Sequence, residues 1–66
     1  MIEVTKLNGM RITINADLIE TVEETPDTLI SFTTGRKLIV KETRQELQKL
    51  VKLYKRQILL TQDIDE

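Results

Sequence analysis

Four turn signals break the first 42 residues into short β-forming segments, and they limit this chain more than any other feature. Asn8-Gly9, Asn15-Ala16-Asp17, Thr25-Pro26-Asp27 and Thr33-Thr34-Gly35 recur at intervals too short for a stable helix to form between them. The intervening segments are rich in β-branched residues. Ile2 to Leu7 reads as a strand, and Met10, Ile12 and Ile14 alternate with Arg11 and Thr13 in a second strand. Leu18 to Glu24 reads as a third strand. Its apolar pair, Ile19 and Val22, is spaced by three, which predicts a bend or bulge rather than clean alternation.

Face parity predicts the pairing of the later strands, Leu29 to Thr33 and Lys37 to Lys41. Ile30 and Phe32 must share a face with Leu38 and Val40, so Ile30 sits opposite Leu38. Thr33-Thr34-Gly35 then closes a three-residue loop with Gly35 left-handed. The same test fails for a tight Asn8-Gly9 turn, which puts Val4 and Ile12 on opposite faces. Either a bulge intervenes or both faces are partly covered.

Beyond residue 42 the period changes. Thr43 and Glu46 form a capping box, in which each side chain satisfies a backbone N–H of the other residue. Leu47, Leu50, Val51, Tyr54 and Ile58 follow at helical spacing and form one apolar stripe. The expected architecture is α+β: a small twisted antiparallel β-meander of about five strands, covered by one C-terminal amphipathic helix. One domain spans 1–66, with the sheet over about 2–41, the helix over about 44–60 and an acidic tail at 61–66.

Composition excludes several chemistries. No cysteine and no histidine is present, which removes disulfides, thiolate metal sites and the commonest neutral-pH base. Ser31 is the sole serine, so no Ser-His-Asp triad is available. Glu42 and Glu46 are four apart, but the cap already accounts for Glu46, so no catalytic residue is assigned. Glu20, Glu23, Glu24 and Asp27 lack the oxygen-rich, glycine-turned loop of a cation site. They read as a solvated acidic edge that discourages strand-to-strand aggregation. No cofactor or metal is expected. No apolar run approaches the ~20 residues needed to cross a bilayer, and Met1 to Leu7 lacks a signal-peptide core. The expectation is a cytoplasmic protein without membrane insertion.

The net charge of −1 hides a segregation. Asp17 to Thr28 carries five acids and no base, whereas Arg36 to Ile58 carries eight bases against Glu42 and Glu46. Leu53 and Leu60 lie off the apolar stripe, on a second line framed by Lys49, Lys52 and Arg56. This line reads either as a frayed tail or as a docking stripe for a second copy or an acidic protein partner. The rival reading is a nucleic-acid-binding regulator that uses the basic C-terminal half. Surface aromatics for base stacking are lacking, which argues against it.

Five ordered blocks resemble one family. They are Thr5-Lys6-Leu7-Asn8-Gly9, Asn15 to Glu20, Glu23 to Thr28, Gly35-Arg36-Lys37 and Val40-Lys41-Glu42. The string is similar to the short flagellar proteins called FlbD or SwrD, over roughly the first two-thirds of the chain. The resemblance implies a non-enzymatic cytoplasmic accessory of flagellar motility and swarming, associated with motor power. A partner in the flagellar motor or its stator is expected with it, and the small chain without disulfide or metal makes a homo-oligomer a separate expectation. Asn8, Gly9, Asn15, Pro26, Asp27 and Gly35 match the family pattern, and most are also explained as turn residues.

Overall fold

The computed structural model describes the backbone of residues 1–65 and the side chains of residues 1–57. The chain runs β1 (Ile2–Thr5), β2 (Arg11–Ile14), a single 3₁₀ turn (Ala16–Leu18), β3 (Ile19–Glu24), β4 (Thr28–Phe32), β5 (Lys37–Val40) and α1 (Arg44–Asp65). The fold is α+β, and all strand pairs are antiparallel.

The strands do not form one continuous meander. β1 and β2 make a two-stranded sheet, and β3, β4 and β5 make a three-stranded one. The two meet at the ends of β1 and β5, where Lys6 bridges to Val40. There the Lys41 N–H donates to the Thr5 carbonyl at 2.8 Å. β2 cannot continue into β3 as a neighbour because the 3₁₀ turn redirects the chain. Asn15 caps that turn by accepting from the Asp17 N–H at 3.0 Å.

The first hairpin resolves the parity conflict. Its loop is Leu7-Asn8-Gly9 rather than a two-residue Asn8-Gly9 turn, and only Gly9 is left-handed, with φ of 90°. Lys6 N–H donates to Met10 O at 2.8 Å and Gly9 N–H to Lys6 O at 2.9 Å. The extra residue shifts the register by one, so Val4 faces Ile12 and Ile2 faces Ile14. The second hairpin uses the same device. Phe32 N–H donates to Arg36 O and Gly35 N–H to Phe32 O, both at 2.9 Å, with Gly35 at φ 92°. Ile30 faces Leu38 across it, as parity requires.

β3 carries the expected irregularity. Ile19 pairs with Phe32 and Thr21 with Ser31, so Glu20 has no partner in the ladder. The bulge turns both Ile19 and Val22 toward the interior, where they are half-buried against the core. The Thr25–Pro26 peptide in the β3–β4 turn is cis.

The core is Ile2, Val4, Ile14, Ala16, Ile30, Val40 and Leu47. It draws on both sheets and on α1, so neither sheet holds it alone. Leu50, Val51 and Tyr54 pack at its margin. α1 begins as the capping box specifies. Thr43 N–H donates to Glu46 Oε1 at 2.9 Å, and Glu46 N–H to Thr43 Oγ1 at 3.1 Å. The helix runs to Asp65, beyond the end near residue 60 suggested by the sequence. No proline or glycine follows Thr43 to stop it. The side chains of Ile58 and Leu60 lie outside the described residues.

Candidate docking face of the helix

Leu47 is 1% exposed and marks the inward side of α1, whereas Leu53 is 56% exposed. Six residues separate them, which at 3.6 residues per turn sends the two side chains well apart around the helix. Lys49, Lys52, Lys55 and Arg56 line the shallow depression around Leu53. Among the described residues one ion pair forms, Arg11 to Glu3 at 2.9 Å. The four helix cations therefore stand without an ion-pair partner among those residues. Lys49, Lys52, Leu53 and Arg56 are brought together as the sequence suggests. Lys55 joins them and was missed, although its place in the basic run was a signal for it.

A second concavity lies on the other side of the same cationic ridge. This open groove of about 730 Å³ separates β3 from α1. Ile19, Val22, Leu47 and Val51 form its apolar lining, and Arg44, Lys52 and Lys55 stand along its helical side.

Two acidic residues act in ways that the sequence did not reveal. The Glu42 carboxylate accepts two hydrogen bonds from Thr5, N–H to Oε1 and Oγ1 to Oε2, each 2.8 Å. It therefore clasps the end of β1 beside the β1–β5 bridge. Partial burial disfavours its charge, but the two Thr5 hydrogen bonds and the nearby Arg11 charge outweigh it. Its pKa is held below the ordinary glutamate value. Glu24 reaches from β3 to accept the Arg44 N–H at 2.9 Å, placing a carboxylate on the helix N-terminus where the dipole favours it. Glu24 is thus engaged in structure. Among the described residues no three His, Cys, Asp or Glu side chains converge on a point that could hold a metal ion. No local pattern links Thr5 with Glu42, because 37 residues separate them.

At the far end of the packed stretch, the Tyr54 hydroxyl donates to Asp17 Oδ2 at 3.4 Å. Desolvation and the Asp17 charge raise the tyrosine pKa. The family-pattern residues all sit in turns or the 3₁₀ cap. Asn8 Oδ1 accepts from Met10 N–H at 3.0 Å, and Thr25 N–H donates to Asp27 O across Pro26 at 3.1 Å. None of them lines the depression around Leu53.

The arrangement defines a class: a small α+β domain that holds out one face of a helix, apolar at its centre and cationic around it. Residues 1–59 match the FlbD family of flagellar and swarming motility proteins, and the chain belongs to that family. No curated protein and no solved structure matches it. Among the described residues no helix is long and apolar enough to cross a membrane.

Proposed function

We propose that this flagellar and swarming motility protein works in the cytoplasm as a non-enzymatic accessory that binds a protein of the motor or stator. The contact is made by Leu53 and the cations Lys49, Lys52 and Arg56. Lys55 extends the same patch, and Leu60 continues the line in the sequence. What carries the reading is an exposed leucine ringed by lysines and an arginine that have no ion-pair partner among the described residues. Apolar area holds such a contact, and the cationic ring selects an acidic partner surface.

Affinity capture from motile cells with wild type and Leu53→Asp tests the proposal. Wild type is expected to recover motor or stator components that Leu53→Asp loses while keeping its circular dichroism spectrum. Leu60→Asp is expected to act in the same direction. Equal recovery by wild type and both variants removes the proposal, as does recovery of nucleic acid in place of motor proteins.

A further inference from the structure

We propose that the outer edge of β2 is a strand-addition site, where an extended, acidic segment of a partner protein pairs with the backbone and fills the recess beside it. This surface shares no residue with the Leu53 face and does not depend on it. In an antiparallel pair, residues alternate between bonding to the neighbouring strand and pointing away from it. Thr5 points away from β2: its carbonyl accepts the Lys41 N–H, and its own N–H donates to Glu42. Arg11 and Thr13 stand opposite Thr5 and Glu3, so their N–H and C=O groups point off the far side of β2. Among the described residues no strand covers that side, and these groups have no hydrogen-bond partner.

The edge is also unguarded. β3, the other outermost strand, carries Glu20, Glu23 and Glu24, which repel an acidic strand. On β2, Thr13 is neutral and the Arg11 charge is engaged by Glu3 at 2.9 Å. Beside β2 lies a recess of about 290 Å³, shared with the β4–β5 hairpin. Successive residues from Ile12 to Asn15 line it, whereas a strand face offers only alternate ones, so the recess borders the edge of β2. Its apolar lining is Ile12, Ile14, Leu18, Phe32 and Leu38. Arg36 and Lys37 stand on the hairpin side, exposed and without an ion-pair partner among the described residues, and no acid lines the recess.

These features specify the occupant. Free N–H and C=O groups along a strand edge select extended backbone. A helix cannot use them, because its own backbone bonds are internal. Alternation then turns every second side chain of the added strand toward the recess, where β-branched apolar residues match the lining. The two unpaired cations select carboxylates on the segment and reject a basic one.

A capped peptide of alternating valine and glutamate, added to the full chain, tests the assignment. Binding is expected, with slowed amide hydrogen exchange at Arg11 and Thr13 by NMR. N-methylating alternate residues of the peptide in one register removes the N–H groups that face β2, and binding is expected to be lost. Methylation in the other register is expected to spare it. Arg36→Glu with Lys37→Glu is expected to lose this peptide and to gain one of alternating valine and lysine, a switch that also shows the variant to be folded. Thr13→Pro removes an edge donor that the free fold does not use, and is expected to lose binding while keeping the circular dichroism spectrum of wild type. Leu53→Asp is expected to bind as wild type does.

Absence of binding overturns the assignment, and so does equal binding of the two methylated peptides, which would mean that backbone pairing is not used. Exchange protection confined to α1, or loss of binding in Leu53→Asp with the hairpin variant unaffected, would place the peptide on the helix and overturn it too. Dimerisation of wild type that Thr13→Pro abolishes would give the edge to a second copy instead.

Discussion

At the scale of single residues, Glu42 reinforces the backbone join between the two sheets. Its carboxylate takes both the backbone N–H and the hydroxyl of Thr5 at 2.8 Å. Hydrogen bonds to a charged group are worth about 1.5–3 kcal/mol, and glutamine keeps one acceptor oxygen, so Glu42→Gln is expected to cost about 1–2 kcal/mol in denaturant unfolding. The folded pKa is depressed, so the contribution is complete above the unfolded glutamate value and is lost as pH falls through the folded one. The gap between wild type and Glu42→Gln should therefore close in acid. A gap that persists there would show that the variant acts through packing instead. Gly9 and Gly35 are the other residue-scale determinants. A Cβ at either meets no atom within 4 Å, so space is not the issue, but both hold φ near +90°. Gly9→Ala and Gly35→Ala are each expected to cost about 1–2 kcal/mol by thermal unfolding, from backbone strain alone. Gly35 was legible because face parity left it one geometry. Gly9 was legible as a left-handed turn residue, but the dipeptide Asn8-Gly9 suggested a shorter loop than the three residues present. Only the burial of Val4 opposite Ile12 shows why the longer one is used.

At the scale of elements, α1 was the most legible part, because its signals are local. The Thr43–Glu46 box forms with both hydrogen bonds, and Leu47, Leu50, Val51 and Tyr54 face the core. Thr43→Ala is expected to cost about 1 kcal/mol, the usual value of an N-cap, with the loss of helical ellipticity concentrated at that end. Glu24 supplies a second acceptor to the same terminus. Glu24→Gln, which keeps an acceptor but removes the charge, should therefore be milder than Thr43→Ala. The bulge in β3 was legible from the spacing of Ile19 and Val22. The split into two sheets was not, because Lys6, Val40, Thr5 and Glu42 meet only through long-range contacts that leave no periodic trace. The Leu53 line was visible as a departure from the stripe. The groove beside β3 was not, since it exists only where α1 and β3 lie together.

At the scale of the whole molecule, the seven buried apolar residues are a small core. Native domains hold about 0.05–0.15 kcal/mol per residue, so a chain of 66 residues has about 3–10 kcal/mol in total. Leu47 is 1% exposed and is the member of that core contributed by α1. Truncating a buried leucine costs about 2–5 kcal/mol, which can remove most of that margin. Leu47→Ala is therefore expected to lose the cooperative thermal transition of wild type in circular dichroism. A variant that melts close to wild type would show that the seven-residue core is not what holds the fold.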